Sequence, residues 1–256
     1  MPFVVRRGTG HIEKEAFGNM EDRWSADWEA FKDSPDREFA DTEHFEVLQS
    51  RGMMPKKGGR ILEGGCGYAH WVRSLHDMGY SVVGLDYAQS AIDLSTERWP
   101  HLELVQGDLR KMPFKDDEFD LIISLGAIEH DVNGPEAALA ELHRVLKPDG
   151  IMHCSVPCIS GYRRLGALPV REFLVNNPTV RRLTGRHPTT EFYEYNYTIP
   201  EYKALLEANG FEVIEMVPLH YHTRLARGPL KPIIHAVHDL RPSFFAHMVT
   251  GLVRKK

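Results

Sequence analysis

The chain has 256 residues, of which 42% are hydrophobic and 26% charged, and its formal net charge is -5. This length suits one α/β domain with a substantial core, and the net charge does not fit a protein that binds nucleic acid through its overall charge. No apolar run approaches the ~20 residues of a membrane span, and we expect no signal peptide. We expect Cys66, Cys154 and Cys158 to be free thiols, which predicts a cytoplasmic location.

Residues 1–57 are predicted to form an N-terminal extension and a helical lid. Apolar residues between Asp22 and Gln49 recur at helical spacing, and Trp24 and Trp28 share one helix face because they are four positions apart. These tryptophans either pack the helix onto the domain or cover a ligand pocket. We hypothesise the second role, in which both contact the substrate.

Short apolar runs alternate with helical patterns from residue 58 onward. This alternation is typical of βαβ units and predicts a doubly wound, Rossmann-like α/β domain over residues 58–256. The predicted strands are Arg60–Glu63, Ser81–Asp86, Leu102–Gln106, Phe119–Ser124 and Ile151–Val156, and the predicted helices are Tyr68–Met78, Ser90–Arg98 and Pro135–Leu146. We expect Ser90 to be the N-cap of its helix and Lys147–Gly150 to form a turn.

Residues 157–197 interrupt the alternation. The stretch is rich in proline and too long for a simple connection, so we predict a substrate-cap insertion after strand five. We expect Thr198 to be the N-cap of a further helix, and strands are predicted at Phe211–Val217 and Phe244–Val253. The complete sheet is therefore predicted to have seven mostly parallel strands with an antiparallel edge strand.

Four polar residues stand at the ends of predicted strands. Glu63, Asp86, Asp108 and Ser124 each lie where an apolar run stops or directly after it. Open α/β sheets bind ligands outside the carboxyl ends of their strands. The sequence therefore predicts a ligand site at this edge of the sheet.

The glycine-rich loop after the first of these strands indicates the kind of ligand. Gly65 and Gly67 supply two glycines of a dinucleotide fingerprint, but His70 stands where the third is needed. The lysine-containing signature of a phosphate loop is absent as well. A carboxylate at Glu63 beside the loop favours a cationic ligand over a phosphate.

The segment Glu63–Ala69 resembles the acidic-x-G-x-G-x-G loop of class I S-adenosylmethionine-dependent methyltransferases, in the small-molecule subgroup typified by quinone-biosynthesis enzymes. Further matches follow in order at Asp86, Gly107–Leu109, Phe119–Ile122 with Ile128–His130, and Arg144–Gly150. Ala69 replaces the last glycine of the loop. We expect this departure to be mild, with Ala69 avoiding a positive φ.

The resemblance implies S-adenosylmethionine as the cofactor and assigns roles to matching positions. Asp86 would hold the ribose hydroxyls, Tyr87 would stack beside the adenine, and Asp108 would accept a hydrogen bond from the adenine amine. The full set of expected cofactor-binding residues is Glu63, Gly64, Gly65, Gly67, Asp86, Tyr87, Asp108, Leu109 and Ser124.

His130 is the predicted catalytic residue, because it follows strand four, where the resemblance places the reactive methyl group. It would act as a general base or orient the acceptor, the alternative being a structural loop histidine. Glu129 is expected to contact the substrate. No metal site is predicted.

The acceptor is expected to be a small or lipid-linked molecule, methylated on oxygen or nitrogen by in-line displacement. Arg181 and Arg182 lie in an arginine-rich, apolar stretch that would grip an anionic acceptor or contact a membrane surface. A nucleic-acid methyltransferase, a catalytically silent scaffold and a nicotinamide-dependent dehydrogenase are the alternatives. No nucleic-acid partner is expected, and the sequence leaves the oligomeric state open.

Overall fold

The computed structural model describes residues 3–6, 43–167, 192–221 and 240–256, with single positions at 177, 179, 182, 232 and 236. Its strands are β1 (Phe3–Arg6), β2 (Arg60–Gly64), β3 (Ser81–Asp86), β4 (Glu103–Gln106), β5 (Phe119–Leu125), β6 (Leu146–Pro157), β7 (Phe192–Asn196), β8 (Phe211–Tyr221) and β9 (Ala246–Lys255). Its α-helices are α1 (Glu43–Ser50), α2 (His70–Asp77), α3 (Gln89–Arg98), α4 (Glu136–Val145), α5 (Ile199–Ala208) and α6 (Pro242–Phe245). A 3-10 turn covers Ile128–His130, and a π-helical turn covers Arg163–Ala167.

Seven of these strands form one sheet in the order β4-β3-β2-β5-β6-β9-β8. The pairs β2–β3, β3–β4, β2–β5 and β5–β6 are parallel, whereas β9 runs antiparallel to both β6 and β8. The predicted seven-stranded, mostly parallel sheet with an antiparallel edge is confirmed. Since the strand order reverses beside β2, the ends of β2 and β5 leave a crevice between the loops that follow them.

Helices cover both faces of the sheet and bury its apolar side chains. Helix α4 turns Ala138, Leu139, Leu142 and Val145 toward the core on one face. Helix α2 turns Val72 and Leu75 toward the core on the other face. Both helices show the apolar stripe expected of a helix that packs against a sheet.

Two predicted local features differ from the structure. The N-cap of α3 is Ala88 and not Ser90, because the helix already begins at Gln89. Strand β6 begins at Leu146 and includes the predicted turn at 147–150, where its pairing with β5 is irregular. Phe119 is opposite Leu146 and Leu121 is opposite Ile151, so the four turn residues form an irregularity inside the strand and have no register partner in β5.

The predicted cap at Thr198 is confirmed. Its side chain accepts a hydrogen bond from the Glu201 N–H at 3.4 Å, and the Glu201 carboxylate accepts one from the Thr198 N–H at 3.0 Å. This reciprocal pair is a capping box, which satisfies two donors at the helix start. The three cysteines are free and buried, as expected for unpaired thiols.

A buried pair of histidines joins helix α1 to the sheet. Nδ1 of His44 lies 2.8 Å from Nε2 of His153, and both side chains are buried. Burial, with the nearby charge of Arg51, lowers the pKa of His153 to about 3. His153 therefore serves as a neutral core residue.

The short strand β1 pairs antiparallel with β7, which lies within the predicted insertion 157–197. This small sheet places the first residues of the chain beside the cap region. The boundary at residue 57 and the extent of the insertion remain predictions. Within the described ranges, none of the helices combines the length and apolarity needed to cross a bilayer.

Candidate functional site

A cleft opens at the carboxyl ends of the central strands, where the four polar strand ends predicted it. It is lined by Gly65, Asp86, Tyr87, Gly107, Asp108, Leu109, Arg110, Gly126, Ala127, Ile128, His130, Asp131 and Ala138. Most of these residues come from the loops after β2, β3, β4 and β5, while Asp86 ends β3 and Ala138 belongs to α4. Five of the predicted cofactor-binding residues and the predicted catalytic histidine are thus brought together.

The glycine loop is fixed by the neighbouring strand. The backbone N–H groups of Gly65 and Cys66 both donate to the carbonyl of Leu85, at 2.7 and 3.0 Å. Gly65 has φ +82°, and a Cβ at this position would lie 2.5 Å from the Cβ of Ala127. Only glycine permits this backbone conformation together with so close an approach to the loop after β5.

Ala69 corrects one expectation from the sequence. It has φ 52° and ψ 28°, the left-handed conformation that we expected alanine to avoid. The side chain is fully buried, and the residue stands directly before α2. The alanine therefore keeps the geometry of the glycine that it replaces, at a cost of roughly 1–2 kcal/mol.

Glu63 lies beneath the loop. Its Oε2 atom accepts a hydrogen bond from the Val72 N–H at 3.1 Å, in the first turn of α2, and the residue is 5% exposed. Burial, and to a lesser degree the charge of Asp86, raise the pKa of Glu63 well above its usual range. The carboxyl group of Glu63 stabilises the N-terminal turn of α2. Contact between Glu63 and a ligand stays a prediction.

Asp86 joins the glycine loop to the end of β3. Its Oδ2 atom accepts from the Gly67 N–H at 2.7 Å, and its Oδ1 atom accepts from the Ala88 N–H at 2.9 Å. Burial raises the pKa of Asp86, while these backbone hydrogen bonds oppose the rise. The carboxylate is therefore fixed at the cleft wall and keeps lone pairs for further donors.

Asp108 is paired with an arginine that the sequence reasoning missed. The N–H, Nε and Nη2 groups of Arg110 donate to Asp108 in four contacts of 2.7–3.0 Å. Arg110 also reaches Asp131 at 3.2 Å. Partial burial acts to raise the pKa of Asp108, but the hydrogen bonds and charge of Arg110 together lower it.

This pairing changes what Asp108 can do. A carboxylate offers about four acceptor sites, and Arg110 already contacts it four times. The adenine amine predicted to bind Asp108 would therefore require Arg110 to turn away. The spacing of Asp108 and Arg110, two positions apart, was a local signal that could have revealed the pair.

The loop after β5 carries the predicted catalytic histidine. The side chain of His130 is 12% exposed and lines the cleft, while the neighbouring Glu129 is almost fully buried. The Nε2 atom of His130 lies 3.9 Å from Oε1 of Glu129. Burial raises the pKa of Glu129 well above its usual range, with a further contribution from Glu194.

The remaining predicted residues have different positions. Gly64 ends β2 against Leu109, and Ser124 is fully buried in β5 without lining the cleft. Arg182 is exposed. Trp24, Trp28 and Arg181 lie outside the described residues, so their substrate contacts stay predictions.

Comparison with known proteins agrees with this geometry. Residues 62–154 match the model of a family described as a methyltransferase domain. The chain is 26% identical over 181 residues to a probable S-adenosylmethionine-dependent methyltransferase of Mycolicibacterium smegmatis, and this alignment covers 71% of this chain and 63% of that protein. It is 31% identical over 182 residues to the demethylmenaquinone methyltransferase of Staphylococcus carnosus, and this alignment covers 65% of this chain and 73% of that protein.

A solved structure shares the fold. An S-adenosylmethionine-dependent methyltransferase of Methanosarcina mazei superposes with a TM-score of 0.58 at 20% identity, over 81% of this chain and 96% of that one. The chain thus spans somewhat less than two thirds of the Mycolicibacterium relative and nearly all of the Methanosarcina structure.

Proposed function

We propose a function from one premise: this chain belongs to the class I S-adenosylmethionine-dependent methyltransferases of the quinone-biosynthesis-like type. S-adenosylmethionine is accordingly its cofactor. We infer that the chain transfers the methyl group to a small molecule with a hydroxylated ring, bound beside His130. The observation that carries this inference is the single cleft that has Asp86 in one wall and His130 in another.

The residues of the cleft fit the cofactor. Gly65 presents bare backbone at the cleft wall, where a side chain would collide with Ala127. Asp86 is held rigidly by two backbone N–H groups and can still accept hydrogen bonds from ribose hydroxyls. Tyr87 and Leu109 supply apolar surface for a flat base. These contacts would hold the nucleoside part at the ends of β3 and β4.

S-adenosylmethionine supplies a methyl group that its sulfonium already activates for displacement. The protein must then align the acceptor with that methyl group and exclude water, and correct alignment alone supplies much of the rate. The rigid loops after β2 and β5, which touch at Gly65 and Ala127, are suited to this task.

The acceptor class is inferred from the cleft together with the relatives. Ile128, Ala138 and Leu109 give the cleft apolar walls, and His130 adds a polar group that can fix a hydroxyl. Demethylmenaquinone methyltransferases are among the relatives above 30% identity. A quinol or a related hydroxylated ring, free or lipid-linked, suits both observations.

His130 is proposed to orient the acceptor hydroxyl and to take up its proton. An imidazole is the side chain best suited to exchange a proton near neutral pH, and positioned bases typically contribute about 10²- to 10⁴-fold to a rate. The carboxyl of Glu129 is buried beside this imidazole, with Oε1 at 3.9 Å from Nε2, which is longer than a hydrogen bond.

The test is methyl transfer from radiolabelled S-adenosylmethionine to a panel of acceptors. The panel contains demethylmenaquinol with a short prenyl chain, simple catechols, and amines without a ring hydroxyl. We expect activity on the hydroxylated rings, and His130→Gln should lower kcat/KM about 100-fold while binding of S-adenosylhomocysteine is retained. His76→Gln, an exposed histidine on α2, is the matched control. Transfer to the amines alone would reject the proposed acceptor class.

A further inference from the structure

Three possible metal ligands converge beside the cleft. Glu129 and His130 come from the 3-10 turn after β5, and Glu194 comes from β7. One oxygen or nitrogen of each residue lies within 4.8 Å of the other two. The separation between Oε1 of Glu129 and Nε2 of His130 is 3.9 Å.

Besides the convergence of the three side chains, the burial of Glu129 also points to a bound ligand. The residue is 1% exposed, and its Oε2 atom has no hydrogen-bond partner among the described residues. Buried carboxyl oxygens are normally paired with a donor, a cation or water, because an unsatisfied one costs free energy. A carboxylate oxygen of Glu194 and a ring nitrogen of His130 lie within 4.8 Å of the Glu129 carboxylate and of each other. A cation at this point would be reached by all three side chains and could satisfy the buried oxygen of Glu129.

We propose that Glu129, His130 and Glu194 bind one divalent transition-metal ion, with Zn²⁺ or Mn²⁺ as the best match. An imidazole nitrogen with two carboxylates suits these ions better than Mg²⁺ or Ca²⁺, which prefer oxygen ligands alone. Ligand atoms around a tetrahedral ion with bonds of about 2.0–2.2 Å lie roughly 3.4 Å apart. The observed separation of 3.9 Å between Glu129 and His130 exceeds this spacing by about 0.5 Å, and the other two pairs lie within 4.8 Å, so the side chains would draw closer when the ion binds.

The neighbouring residues hold the third ligand in place. The Nδ2 group of Asn196 donates to Oε1 of Glu194 at 3.0 Å, and Asn196 is itself buried. The hydroxyl of Tyr195 donates to the carbonyl of Val132, which ties β7 to the segment after the 3-10 turn. Such outer contacts commonly orient metal ligands and raise metal affinity.

The position of the ion would matter for the acceptor. Three protein ligands leave at least one coordination position open, and His130 already lines the cleft. A hydroxyl oxygen of the acceptor could take that position and would release its proton to water more easily there. With the ion bound, His130 would hold the ion in place of taking up that proton. This step deepens the proposed function and rests on it, whereas binding of the ion itself does not.

The test is calorimetric titration of the full chain, stripped with a chelator, with ZnCl₂ and separately with MnCl₂. Cofactor and acceptor are left out, so that failure of the metal site and failure of the proposed function are distinguishable. We expect one tight ion per chain. Glu129→Gln and Glu194→Gln should each weaken its binding at least tenfold, because each removes one charged ligand but keeps the side-chain shape.

A matched control comes from the second cluster of possible ligands among the described residues. His76, Asp77 and His101 form an exposed group on the surface. His101→Gln should leave the tight site unchanged. The proposal is overturned if the wild-type chain binds neither ion, if both glutamine variants bind as tightly as wild type, or if His101→Gln removes the binding. Glu194→Gln decides the matter should Glu129→Gln fail to fold.

Discussion

The two sides of the cleft differ in whether their buried polar groups have hydrogen-bond partners. In the donor half, formed by the loops after β2, β3 and β4, the carboxyl groups of Asp86 and Glu63 accept backbone hydrogen bonds. Behind the acceptor half, whose lining includes the 3-10 turn with His130, polar atoms of Glu129, Ser155 and Asn196 are buried without a partner among the described residues. The carboxyl groups of the donor half are therefore fixed by the fold, whereas the region behind the acceptor half contains buried polar atoms that the fold leaves unsatisfied.

This difference has a physical consequence for specificity. A site whose polar groups are already fixed binds one cofactor with little rearrangement, because the cost of ordering was met on folding. A region with unsatisfied polar atoms can select among ligands, because a ligand that does not bond to these atoms leaves them buried and unpaired.

The largest expected effect is a loss of cofactor-product affinity when an acceptor in the donor half is removed. Asp86→Ala removes the acceptor of the Gly67 and Ala88 N–H groups together with the proposed ribose contact. Hydrogen bonds to a charged group contribute roughly 1.5–3 kcal/mol each, so affinity for S-adenosylhomocysteine should fall about 100-fold or more. Calorimetry measures the loss, with Asp93→Ala on the exposed face of α3 as control. Unchanged affinity would remove Asp86 from the binding site.

The next prediction tests whether the close contact between the loop after β2 and the loop after β5 contributes to stability. Gly65→Ala would place a Cβ 2.5 Å from that of Ala127 and force alanine to φ +82°. We expect a loss of roughly 2–4 kcal/mol in the free energy of unfolding, from backbone strain and overpacking together. Gly79→Ala is the matched control, because Gly79 has φ +87° and nothing within 4 Å of the added Cβ. Equal losses in urea unfolding would show that the contact with Ala127 contributes nothing.

A smaller effect compares a satisfied hydroxyl with an unsatisfied one. Thr250 donates to the Cys154 carbonyl at 3.1 Å, while the hydroxyl of Ser155, its partner across β6 and β9, is buried without a partner. Thr250→Val should cost about 1 kcal/mol, whereas Ser155→Ala should leave stability unchanged within about 0.5 kcal/mol. Denaturant unfolding of both variants measures the contrast. A loss for Ser155→Ala as large as that for Thr250→Val would mean that its hydroxyl is satisfied after all.

The smallest effect concerns strain in the donor loop. Ala69→Gly removes the left-handed strain of alanine but adds freedom to the unfolded chain. The two terms leave a net gain of roughly 0.5–1 kcal/mol, which a rise in the urea midpoint at constant m value would report. A destabilised variant would show that packing of the alanine methyl group outweighs the strain.

Much of the donor half could be predicted from the sequence because its signals are local. Asp86 follows directly from a strand end, and the glycine loop is one continuous stretch. The expectation for Ala69 is wrong because the loop geometry imposes a positive φ despite the usual preference of alanine. The predicted start of α3 is one residue late because Ser90 is a good cap by residue type, although Ala88 takes that place.

The sequence by itself determined the alternation of strands and helices, the acidic strand ends and the position of His130. These follow from hydrophobic periodicity and from the short-range chemistry of turns, which adjacent residues decide. Only the tertiary structure brought Glu194 beside Glu129, and Arg110 across to Asp131. Contacts between residues so far apart along the chain depend on how β7 and the strand-end loops pack, and no local pattern encodes that packing.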